Sequence, residues 1–94
     1  MKLTAQNLQE ILDIAKESVK NQDDCFGYSI NGYHFFVYCD YYLNDMDAWA
    51  IEPNKLDEDG CAEPIGNQEV VEFCDYAQLL IACAELAERY FEED

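Results

Sequence analysis

Apolar residues recur at Leu8, Ile11, Leu12, Ala15 and Val19, the spacing that lines one side of an α-helix. Thr4 is placed to cap that helix, Leu3 before it to pack on Leu8, and Gln22-Asp23-Asp24 breaks the periodicity, so a helix is expected from Thr4 to near Asn21. The period then changes from helical to alternating. In CFGYSINGYHFFVYCDYYL, Asn31-Gly32 supplies the two left-handed positions of a type I′ turn between aromatic and β-branched runs. A two-residue loop sets Phe26 opposite Val37, Tyr28 opposite Phe35 and Ile30 opposite Tyr33. Phe26, Tyr28, Ile30, Phe35, Val37, Cys39 and Tyr41 then share one face, the predicted core side. The other face carries Cys25, Gly27, Ser29, His34, Phe36, Tyr38, Asp40 and Tyr42, with the Phe36 ring expected to cover the bare backbone of Gly27.

Asn44-Asp45 reads as a second turn and DAWAIE as a third strand. An odd-numbered loop before it sends Trp49 and Ile51 to the core, an even one to the opposite face; the core placement is favoured because Trp49 is the largest apolar side chain in the sequence. Pro53 is expected to end the strand, since it cannot donate to a ladder. Residues 54–67 lack periodicity and read as a long surface loop, followed by a short fourth strand in QEVVEF. Asp75 caps a last helix, with Gln78 in the capping-box position. Its buried stripe is Tyr76, Leu79, Leu80, Cys83, Leu86, Ala87 and Tyr90, and Arg89 is within reach of Glu85. The predicted architecture is α+β, a single domain over 1–94: an N-terminal helix, a three- to four-stranded antiparallel sheet and a C-terminal helix, both helices on one sheet face.

Composition changes this picture in two ways. Five cysteines (Cys25, Cys39, Cys61, Cys74 and Cys83) without CxxC spacing suggest neither a disulfide framework nor a structural zinc site, but reduced thiols that pack as small hydrophobes. No signal peptide or membrane-length apolar run is evident, so a cytoplasmic protein without membrane association is expected. The net charge of −16 is unevenly placed. Lys2, Lys16 and Lys20 balance Glu10, Asp13 and Glu17, whereas every later acid faces only Lys55 and Arg89. Such a chain repels nucleic acid and attracts basic partners.

The residues suggest little dedicated chemistry. Asp57-Glu58-Asp59-Gly60 fits part of a calcium loop, but aligning Gly60 puts Lys55 and Gly66 where carboxylate ligands are required. His34 and Cys39 fall on opposite strand faces, Cys25 is too far along the ladder, and the glycines are scattered, so no catalytic centre, metal site or cofactor is expected.

The acids group at Asp40, Asp45 and Asp47, at Asp57, Glu58, Asp59 and Glu63, and at Glu85, Glu88 and Glu92 with the tail. These are the expected contacts to a basic protein surface, such as that of a nucleic-acid-binding enzyme; a solvated, solubility-promoting exterior is the plainer explanation. In size, charge and mixed helix-sheet content the chain resembles small acidic DNA-mimic inhibitors of restriction and CRISPR enzymes from phage and mobile elements, a resemblance of composition that implies inhibition by occupying the enzyme's own DNA-binding groove and assigns no residue a role. The alternative is an interaction module or homodimer using an aromatic patch of Phe36, Tyr38 and Tyr42, with Phe91 near the chain end.

Overall fold

The computed structural model describes residues 1–40 and 48–92, Asp40 by its backbone alone. The expected Tyr41, Tyr42, Asp45 and Asp47 positions therefore lie outside the described residues. Helix α1 runs Ala5–Lys20 and begins with a reciprocal cap: the Asn7 backbone N–H donates to the Thr4 hydroxyl, and the Asn7 side-chain oxygen accepts from the Thr4 N–H. Leu3, just outside the cap, is buried. The helix closes at Asn21, and its Ile11, Ala15 and Ser18 face inward.

Strands β1 (Cys25–Ile30) and β2 (Tyr33–Asp40) pair in the register that the Asn31-Gly32 turn dictates, Ile30 opposite Tyr33 through Cys25 opposite Tyr38. Both turn residues have positive φ, 48° and 82°. Strand β3 (Ala48–Leu56) pairs antiparallel with β2, Cys39 opposite Trp49 and Val37 opposite Ile51. This is the odd-loop register, and it buries Trp49 and Ile51 in the core.

Pro53 does not end this strand. It lies within β3 opposite Phe35, and the ladder continues to Lys55 opposite Tyr33. Nor are residues 54–67 a loop throughout. The chain turns at Asp57–Cys61 and returns as β4 (Ala62–Pro64) beside β3, then as β5 (Glu69–Glu72) farther along the same edge. Between β4 and β5, the residues Ile65, Gly66, Asn67 and Gln68 stand opposite Glu52 and Pro53, a bulge in what is otherwise one returning strand. The bulge explains the proline: its carbonyl accepts from Ile65 N–H at 3.0 Å, and its missing N–H points to the interruption, where no ladder partner is needed.

Helix α2 (Tyr76–Tyr90) is capped by the Asp75 carboxylate, which accepts from the Gln78 backbone N–H. It buries Leu79, Ala82, Cys83, Leu86 and Ala87, while Tyr76, Leu80 and Tyr90 are half-buried at the stripe's margin. The helices are antiparallel, since the Met1 amino group at the start of α1 donates to the carbonyls of Ala87 and Phe91 at the end of α2. Both cover one sheet face, where Ile11, Ala15, Phe35, Val37, Trp49, Ile51, Leu79 and Leu86 form the core. Phe91 belongs to this core and not to the opposite patch: it stacks on Tyr33 at 4.6 Å and contacts Phe35 at 4.8 Å. Arg89 pairs with Glu69 of β5 at 3.9 Å instead of with Glu85 on its own helix.

The bulge docks directly on α2. A methyl group at Gly66 would lie about 2.4 Å from the Tyr90 ring, and Tyr90 Oη accepts from the Asn67 N–H. Gly66→Ala is therefore expected to cost about 1–3 kcal/mol through overpacking. Urea denaturation would read this as a lower midpoint, relieved in a Tyr90→Ala background; an unchanged midpoint would contradict the packing.

Candidate functional site

The structure brings the hairpin acids and the end of the last helix to one end of the sheet and leaves Asp40 at the other. Asp57, Glu58 and Asp59 occupy the β3–β4 turn, at the sheet end shared with the Asn31-Gly32 turn, because Leu56 N–H donates to Gly32 O. Glu92 reaches the same end, its backbone N–H donating to Tyr33 Oη. Glu85 and Glu88 lie on the exposed side of α2 leading toward it, as expected. Asp40, at the far end of β2, is at the opposite end of the sheet. The long axis of the molecule is 39 Å, so the acids bracket it and do not converge on one point.

The four acids of the β3–β4 hairpin have different circumstances. The Asp57 carboxylate is spent on the backbone: its Oδ1 accepts from the N–H groups of Asp59 and Cys61, at 2.9 and 2.8 Å, and so fixes the turn. Glu63 sits across the ladder from Lys55, though the two make no ion pair within 4.0 Å. Glu58 and Asp59, both exposed at the tip, have neither arrangement. Between described residues the structure forms one ion pair, Arg89 with Glu69. Among the described residues no group of three His, Cys, Asp or Glu side chains is arranged to hold a metal ion.

The second candidate is the sheet face turned away from the helices. Along β2 it presents a row of rings: His34 and Phe36 with centroids 6.4 Å apart, then Phe36 and Tyr38 at 5.8 Å. On the neighbouring strands Phe36 lies between Gly27 and Glu52, and Tyr38 between Cys25 and Ala50. Phe36 is 39% exposed and Val70, farther across the same face, 51%. It is the His34 ring, not that of Phe36, that covers Gly27: an added methyl there would lie about 2.5 Å from the imidazole. Although Phe36 is the direct cross-strand neighbour of Gly27, the imidazole leans along the ladder to fill the space.

Sequence reasoning placed Ser29 and His34 on this face without pairing them, and it missed Glu52 and Gln68. Ser29 Oγ and His34 Nδ1 share a hydrogen bond of 2.8 Å across the β1–β2 ladder. On the other side, Glu52 lies opposite Phe36, and its carboxylate accepts from Gln68 Nε2 at 3.2 Å; the same amide group donates to Tyr38 Oη. The β2–β3 register is the signal that reveals Glu52, because it sets that carboxylate beside the aromatic row. The Ser29–His34 pair provides the first link of a nucleophilic triad, but the other imidazole edge lies over Gly27 instead of meeting a carboxylate.

Burial lowers the His34 pKa below the usual histidine value. The folded protein thus resists protonation more than the unfolded chain: stability is intact above about pH 6.5 and falls as pH drops through and below that value. Between about pH 7.5 and 5.5 the native protein should lose more thermal stability than His34→Gln, the carboxylates being common to both. Equal losses in the two proteins would contradict the burial of the imidazole. The thiols divide similarly by burial. Cys83, enclosed in the core, has its pKa pushed up to about 12 by desolvation, whereas Cys25, Cys61 and Cys74 are exposed. A thiol held protonated is a packing group, not a nucleophile.

No described helix is long and apolar enough to cross a membrane. Comparison with known proteins adds no constraint, because no protein family, no curated protein and no solved structure matches the chain.

Proposed function

We propose that this is a non-catalytic acidic protein that binds a basic protein surface, and that its specific form is DNA mimicry, occupation of the groove of a nucleic-acid enzyme. The observation that carries the reading is the uncompensated charge: a net −16 with one ion pair between described residues. Unpaired like charges destabilise a compact state by self-repulsion, and a cationic partner would relieve it. The carboxylates at the hairpin tip stand on a turn that Asp57 fixes, and those of α2 on a helix packed into the core, so partner binding need not order them.

Capture from a lysate tests the reading when the bound protein is then challenged with duplex DNA. A nucleic-acid-binding protein displaced by DNA supports mimicry. A captured partner indifferent to DNA overturns mimicry, and a partner without a basic surface overturns the broader reading as well.

The exposed ring row favours a second use of the surface, an interaction module built on the open sheet face.

A further inference from the structure

We propose that the open sheet face is the specific docking point for an arginine of the cationic partner, its guanidinium laid on the Phe36 ring and paired with the Glu52 carboxylate. This rests on the reading that the partner is basic, and it gives that partner a defined chemistry. Three observations converge on it. Phe36 exposes its ring on this face, with Tyr38 beside it at 5.8 Å. Glu52 is the cross-strand neighbour of Phe36, and its carboxylate is held in place by the Gln68 amide group. No described lysine or arginine belongs to this face, and no described cation lies within 4.0 Å of Glu52.

A ring and a carboxylate side by side select arginine over lysine. The planar guanidinium can stack on the aromatic face and present its N–H fork to the carboxylate, whereas an ammonium is a strongly hydrated point charge that does only part of both. Charge complementarity also decides between occupants. A second copy would bring its own Glu52 and Glu72 against those of the first, with no cation on either face. A partner arginine supplies the missing charge.

The test is an NMR titration of the isotope-labelled protein with hexa-arginine and, separately, hexa-lysine at one ionic strength. Hexa-arginine should shift the amide signals of Phe36, Tyr38 and Glu52 and the side-chain amide of Gln68, saturably, and bind there about tenfold more tightly than hexa-lysine. Phe36→Leu, which keeps an apolar side chain but removes the ring, and Glu52→Gln, which keeps the shape but removes the charge, should each weaken hexa-arginine binding about fivefold or more. Saturable binding of both peptides confined to the hairpin tip and α2 overturns this site while leaving the basic-partner reading intact. Absence of saturable binding by either peptide overturns both.

Discussion

Trp49→Ala is expected to lower the unfolding free energy by about 3–5 kcal/mol, the cost of removing a fully buried tryptophan. Trp49 is 1% exposed and meets three other rings, Phe73 at 5.1 Å, Tyr76 at 5.5 Å and Phe26 at 6.3 Å. It ties β3 to β1, to the segment after β5 and to the start of α2, so little nearby can collapse into the space it leaves. Small domains are stable by about 5–15 kcal/mol, and one burdened by self-repulsion has little margin. Chemical denaturation followed by circular dichroism measures the loss; tryptophan fluorescence cannot, because this is the only tryptophan. Val70→Ala on the exposed face is the control and should stay within about 0.5 kcal/mol. A Trp49→Ala cost below about 1 kcal/mol would show that the odd-loop register of β3 is wrong.

The second large effect concerns binding. Changing Glu58, Asp59 and Glu88 to lysine should weaken the captured cationic partner by about a hundredfold or more at low salt, because each substitution replaces an attraction with a repulsion. All three side chains are exposed, and none serves as a cap or ladder partner. Asp57 is deliberately left in place. Its carboxylate holds the turn through two backbone N–H groups, so Asp57→Lys would confound lost charge with a lost loop. Asp57→Asn, which keeps the acceptor oxygen, separates the two. Retained affinity in the triple variant, with an unchanged circular dichroism spectrum, would remove the hairpin tip and α2 from the interface.

Much of this fold is legible locally. Asn31-Gly32 fixes a two-residue loop, that loop fixes the β1–β2 register, and the register sorts every side chain of both strands. The face of β3 follows from parity together with the size of Trp49. The errors arise where one local rule meets a non-local circumstance. A proline ends a strand when a ladder bond is lost, but here the lost donor faces a bulge made more than ten residues later. Phe91 follows the last periodic position of α2, so helical phase does not say that it turns back onto Tyr33 and Phe35. Arg89 finds Glu69 on a strand because the tertiary fold brings the two together, which helix spacing cannot show. The candidate site was half legible: Phe36 and Tyr38 fall on one face by alternation, while Glu52 looks like any solvated strand acid until the ladder places it beside Phe36. The acids themselves were visible by count alone. Which of them is occupied with the backbone, or stands across from a lysine, depends on the turn and the ladder.

The salt dependence of partner binding tests the central claim most directly. If uncompensated carboxylates meet a cationic groove, the association constant should fall steeply and log-linearly between about 50 and 200 mM salt, by an order of magnitude or more. An association constant that stays flat over that range would mean that the charge is not what binds.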